Sequence, residues 1–171
     1  MHKTELIDLQ RCLEKMDFPK EAVVLIHSSL LKFGLIEKGV AGFYRCIEDV
    51  LGPDATIVMP AFSFSFQQTK QWFAASSKSN MGVLTEYFRN NEASWRTINP
   101  FHSVSVKGKY ASKFLSCNCN SSFGKGSPFE LLSVSYTHLR AHETLMNLVC
   151  RLLLEKTRTS AACLSPLVAG G

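Results

Sequence analysis

His138 and His142 stand four residues apart, with Glu143 beside the second, and form the densest group of chemistry-bearing side chains in this sequence. On a helix, positions i and i+4 share one face. Two imidazoles and a carboxylate there can hold a metal or move a proton. A second group lies early: "LIHSSLLKFG" presents His27, Ser28, Ser29 and Leu30 ahead of Gly34. Backbone N–H groups freed at a helix start suit phosphate or thioester oxygens, although "SSL" equally suits a plain N-cap. A third, "WRTINPFHSVSVKG", contributes Arg96, Thr97, His102, Ser103, Val104 and Ser105. Its Arg can clamp an anion bidentately or make a surface ion pair. "FGKGSP" holds Phe123, Gly124 and Ser127. It can cradle a phosphate or simply turn the chain into a Pro-started helix.

These groups must be positioned by regular elements, and the hydrophobic pattern supplies them. Leu6, Leu9, Leu13 and Met16 recur at helical spacing after Thr4, a plausible N-cap. "AVVLI", 22–26, and "ATIVMP", 55–60, are short apolar runs rich in β-branched residues, as in strands buried on both faces. Val40, Phe43, Ile47, Val50 and Leu51 mark a helix stopped by Gly52 and Pro53. "GVLTEYFRNN" reads as a third helix, "HSVSVKG" as a third strand and "KYASKFLS" as a short helix. Between 61 and 80 the chain is irregular, with alternating aromatics, and loops this long are often functional. The alternation of strands and helices predicts a three-layer α/β/α fold with a largely parallel sheet.

Composition narrows the function classes. Of 171 residues, 46% are apolar and 19% charged, which is globular rather than disordered. The net charge of +5 is dispersed, which argues against a nucleic-acid partner and suits a small anionic ligand. No stretch is long and apolar enough to span a membrane. The N-terminal segment is not a signal peptide, because acidic residues run through its apolar part. The expected location is the cytoplasm, and the six cysteines read as free thiols. Cys117 and Cys119 form a lone C-x-C, two ligands where a structural zinc site wants four.

The order "VLIHSSLLKFG", "TIVMPAFSFSF", "MGVLTEYFR", "WRTINPFHSVSVKG", "FGKGSP" resembles the aminoglycoside 3-N-acetyltransferase family from about Glu21 to Leu132. The resemblance implies transfer of an acetyl group from acetyl-CoA to an amine of an aminoglycoside or amino-sugar acceptor. It implies that His27, Ser28, Ser29, Leu30 and Gly34 face the CoA arm and phosphates. Arg96, Ser103, Val104, Phe123, Gly124 and Ser127 would complete that side. "AFSFSF" would lie towards the acceptor. Asn99 stands where many resistance enzymes have His, which resembles relatives linked to polysaccharide amino sugars. CoA is an anion with a narrow arm, so backbone donors and one Arg suit it. Acyl transfer also needs donors at the developing oxyanion and a base for the amine.

In the family that base is a His in a T-x-x-x-H-x-x-E-like segment, expected soon after Leu132. Thr137, His138 and Glu143 mimic it with the wrong spacing and no preceding strand. Residues 133–156 resemble instead the translation of a transposase-type sequencing adaptor. One frame of it reads Val-Ser-Tyr-Thr-His-Leu-Arg-Ala-His-Glu, which is 134–143. Thr144 is then forced, Leu145 and Met146 fit a variable index, and Asn147–Lys156 matches the constant part that follows. The expected organisation is therefore 1–132 as the N-terminal part of the α/β domain, 133–156 as adaptor-derived, and 157–171 unassigned. On this reading the sheet is incomplete at its C-terminal side, no catalytic or metal residue is assigned, and the chain is inactive. The alternative is a nucleotide- or phosphate-binding α/β module without chemistry, for which one glycine in "HSSLLKFG" is a thin fingerprint.

Overall fold

In the computed structural model, residues 3–137 are described. The His138, His142 and Glu143 group and the 157–171 tail lie outside them. The elements in order are β1 (Lys3–Thr4), α1 (Leu6–Glu14), β2 (Val23–Leu25), β3 (Leu35–Ile36), α2 (Gly39–Leu51), β4 (Thr56–Pro60), α3 (Phe66–Thr69), α4 (Val83–Asn91), β5 (Trp95–Arg96), β6 (Val104–Gly108) and α5 (Pro128–Thr137). Single 3-10 turns cover Leu30–Phe33 and Ala111–Phe114. Helix α5 crosses the boundary expected at Leu132.

The main sheet has the order β2–β4–β6–β5, and β1 pairs with β3 in a separate two-stranded bridge. β2 lies parallel to β4, whereas β6 runs antiparallel to both β4 and β5. The sheet is thus partly parallel. Only residues 97–103 join β5 to β6, too short a connection for a crossover helix, so β6 must return against β5. β5 in turn runs with β4, carried there by α4, and β6 fills the place between.

Alternation along the strands separates two cores. Val24, Ile26, Ile57 and Met59 pack with Leu9 and Leu13 of α1, Phe43, Ile47 and Leu51 of α2, and Leu84 and Phe88 of α4. Val58, Val104 and Val106 point the other way, against Ala111, Phe114 and Leu132. Helices on both faces of one sheet make the three α/β/α layers. All five residues of β4 are buried, as its continuous apolar run predicts. Thr4 is not the N-cap of α1. It pairs in β1, and its Oγ1 donates to Phe33 O at 2.6 Å. The Glu37 carboxylate accepts from Leu6 N instead, at 3.2 Å.

One polar network ties the first helical layer to the sheet. Lys107 of β6 donates to Glu48 of α2 at 2.5 Å and to Glu92 beyond α4 at 2.9 Å. Tyr44 donates to Glu48 at 3.0 Å, and Arg45 reaches Glu92 at 3.3 Å. Burial works against charge on Lys107, but its hydrogen bonds to the two carboxylates outweigh that and raise its pKa. Glu86 and Arg89 of α4 hold the irregular segment 61–82. Glu86 accepts from Arg89 at 2.7 and 2.9 Å and from Ser79 N at 2.9 Å, and Arg89 donates to Ala75 O at 2.8 Å.

Two measurements check this frame. Gly108 and Gly52 both have positive φ, but a Cβ on Gly108 would meet Ala55 O at 2.1 Å, whereas one on Gly52 meets nothing within 4 Å. Thermal unfolding should show Gly108→Ala destabilised by about 3 kcal/mol or more and Gly52→Ala by only about 1 kcal/mol. The Arg89 hydrogen bonds hold the Glu86 carboxyl down at about 2. A depressed carboxyl stabilises the fold above its unfolded pKa and loses that contribution as pH falls through the folded one. Glu86→Gln should therefore unfold earlier than the parent at pH 7, with the gap closing between about pH 4 and pH 2.

Candidate functional site

The carboxyl ends of β2 and β4 lie at the same edge of the sheet, and there the chain gathers its irregular segments. Ligands of open α/β sheets bind at such an edge. β2 delivers His27, Ser28 and Ser29, β4 delivers Ala61 to Phe64, and the β5–β6 turn delivers Asn99 to Ser103. The 117–127 loop packs against the β5–β6 turn, through Cys119 O on Asn99 and Ser122 on His102. Gly82 comes close to Ser28, since a Cβ on it would lie 3.8 Å from Ser28 O.

Arg96 holds this edge together. Nε donates to Ser103 Oγ at 3.1 Å. One terminal nitrogen donates to Ala74 O at 3.2 Å and Ser77 O at 2.5 Å. The other donates to Ala61 O at 2.5 Å and Ser63 Oγ at 2.8 Å. A guanidinium has five N–H donors, and all five are engaged. Its face lies 5.0 Å from the Trp72 ring centroid. Burial lowers its pKa to about 10, aided by the Arg89 charge and opposed by Glu86, so it remains a cation at neutral pH. Ser63 and Ser103 pass the connection on, donating to Lys78 O at 2.7 Å and Ala61 O at 2.8 Å. The Arg96 donors expected to face an anion are engaged by the protein in this structure, where the side chain staples the 61–82 segment.

Four more of the expected ligand residues have partners or packing within the fold. Val104 is fully buried in the second core, with its N–H on Thr97 Oγ1 at 3.0 Å. Ser127 is buried and caps α5, accepting from Glu130 N at 3.1 Å. Glu130 reaches back to Gly126 N, the residue before the cap, so the turn is closed from the helix side as well. Gly124 N donates to Ser121 Oγ at 2.9 Å. "FGKGSP" is therefore a turn into a Pro-started helix, and its glycine N–H groups have partners. Ser103 is fully buried between Arg96 and Ala61.

The rest stays at the edge. Ser28 is buried, yet its Oγ has no hydrogen-bond partner among the described residues. Ser29 is exposed in extended backbone and Leu30 is half-buried, opening the turn that closes at Gly34 with φ 68°. His27 is exposed. Phe123 is 68% exposed.

A part of the site not anticipated from the sequence surrounds His102. Its Nδ1 lies 2.7 Å from Ser122 Oγ. The ring is flanked by Phe62 at 4.9 Å and Phe123 at 5.3 Å, and Phe129 touches both of these. Asn99 sets the backbone: its Oδ1 accepts from Phe101 N and His102 N at 3.0 and 2.9 Å, and its Nδ2 donates to Cys119 O at 3.0 Å. The alternating aromatics of "AFSFSF" were the available signal. No spacing rule brings Phe62, His102, Ser122 and Phe123 together.

Among the described residues no three of His, Cys, Asp or Glu meet as metal ligands, and no helix is long and apolar enough to cross a membrane.

Comparison with known proteins agrees with this geometry. The family model for aminoglycoside 3-N-acetyltransferase matches residues 25–135. The SPbeta prophage-derived aminoglycoside N(3')-acetyltransferase-like protein YokD of Bacillus subtilis (strain 168) is 27% identical over 125 residues, 60% of this chain and 46% of that protein. The YokD crystal structure superposes with a TM-score of 0.67 at 22% identity, over 75% of this chain and 61% of that one. A single-residue variant of AAC(3)-IVa in complex with apramycin gives 0.68 at 23% identity, over 78% and 54%. AAC-IIIb in a binary complex with CoASH gives 0.65 at 19%, over 76% and 56%. This chain thus spans about half the length of these relatives. With the family model matching residues 25–135, from the end of β2 into α5 and more than half of the chain, the chain belongs to the aminoglycoside 3-N-acetyltransferase family.

Proposed function

We propose that this chain carries the acetyl-CoA side of an N-acetyltransferase whose acceptor is an amine on a sugar. The observation that carries the reading is Ser28. A buried hydroxyl without a partner is costly, and this one stands just past the carboxyl end of a parallel strand, where open α/β sheets bind their ligands. A thioester or amide oxygen of the CoA arm is the partner its chemistry asks for. Ser29, Leu30 and the turn to Gly34 present backbone beside it, and His27 and Phe123 stand on the open side. AAC-IIIb, a relative of the same fold, is known with CoASH bound, which supports this assignment.

In such a transfer the amine nitrogen attacks the thioester carbonyl, the C–S bond breaks, and the amine proton leaves to a base. Ser28 would orient the arm or donate to the carbonyl oxygen as negative charge develops there. Arg96 acts through the 61–82 segment as a positioning residue. The reading assigns no base within the described residues, so ligand binding is the proper test for this chain.

Titration calorimetry of the chain with CoA should show saturable binding, and Ser28→Ala should weaken it about tenfold. The same substitution should leave the ligand-free melting temperature unchanged or raised, because it removes an unsatisfied hydroxyl. Binding of ATP with none of CoA, or a Ser28→Ala protein that melts early yet binds CoA normally, would contradict the proposal.

A further inference from the structure

Among the described residues, the three stretches that supply the ligand-facing edge contain no carboxylate. No Asp or Glu occurs in 22–36, in 55–85 or in 93–129. Among the described residues Glu37, Glu86 and Glu130 border them on this side, and each is hydrogen-bonded, Glu37 by Leu6 N at 3.2 Å. Glu86 is held by Arg89 and Ser79 N, and Glu130 by Gly126 N. Other acidic residues, such as Asp17, Glu21 and Asp54, lie towards the amino ends of β2 and β4, the far side of the sheet. What the edge offers instead is aromatic and cationic. Phe64 and Phe123 are 45% and 68% exposed, and the His102 ring lies between Phe62 and Phe123. Lys70, Lys78 and Lys125 are exposed in the same segments.

A polycationic acceptor needs several carboxylates to replace the water around its ammonium groups, and like charges facing it cost affinity. One ammonium can lie over a ring face; several beside three lysines cannot. Ring faces do suit the apolar face of a sugar, and the Asn and Ser side chains of 118–122 suit its hydroxyls. We propose that this edge takes an amino sugar bearing a negatively charged group, such as a phosphate, and discriminates against polycationic aminoglycosides. This inference rests on the amino-sugar acetylation reading and narrows its acceptor.

The test is a titration of the full chain followed by NMR at the His102 imidazole and the Phe123 ring. The probes are glucosamine 6-phosphate, inorganic phosphate and kanamycin, with CoA titrated separately. Glucosamine 6-phosphate should shift both rings saturably, with kanamycin and inorganic phosphate each at least tenfold weaker. Phe123→Ala, at an exposed position, should weaken the sugar phosphate about tenfold with no change in melting temperature. Kanamycin binding as tightly as the sugar phosphate overturns the proposal. So does inorganic phosphate binding equally well, or no response to any of the three probes. If CoA still binds in that last case, the acceptor inference alone falls; if CoA binding is absent too, the underlying reading falls with it.

Discussion

A half-buried cation hydrogen-bonded wholly by neutral oxygens organises this half of the molecule. Arg96 has no carboxylate partner among its hydrogen bonds; three backbone carbonyls and two serine hydroxyls take its five N–H groups. Losing bulk water is costly for a charge unless every donor is replaced. The fold meets that demand by bringing Ala61, Ala74 and Ser77 to one point, which closes an irregular segment of some twenty residues into a defined shape. Remove the fork and those carbonyls lose their common partner. The rest follows in order: β5 places Arg96, Arg96 places 61–82, and that segment places Phe62 against His102.

The two faces of the sheet divide the labour. The side of α1, α2 and α4 holds the larger core and the Lys107–Glu48–Glu92 network, which locks helices to strands. The other side holds a smaller core under α5. The proposed ligand chemistry lies at the strand ends, where backbone leaves regular pairing and the Ser28 hydroxyl has no partner among the described residues.

Much of this architecture was legible in the sequence, for identifiable reasons. β2 and β4 are buried on both faces and so read as unbroken apolar runs; α1, α2 and α4 show helical spacing. β5 was illegible, being two residues long with a pattern set wholly by its partner. The direction of β6 depends on the length of one turn rather than on its alternation. Arg96 looked like an anion clamp because its true partners are backbone carbonyls, which no residue type announces. "FGKGSP" was ambiguous until Ser127 was seen to cap α5 and the Glu130 carboxylate to take Gly126 N. Ser28, Ser29 and Gly34 were singled out by their place after a buried strand, whereas the His102 cluster needed three distant segments to meet. The His138 and His142 pair, the most conspicuous chemistry in the sequence, lies outside the described residues, and the site is built without it.

The most direct test of this account is hydrogen exchange on Arg96→Lys, which keeps the charge and loses the fork. Exchange across 61–82 should rise at least tenfold while β2 and β4 keep their protection, and any loss of CoA affinity should accompany that loosening. Unchanged exchange in 61–82 together with abolished CoA binding would contradict the account and place Arg96 on the ligand.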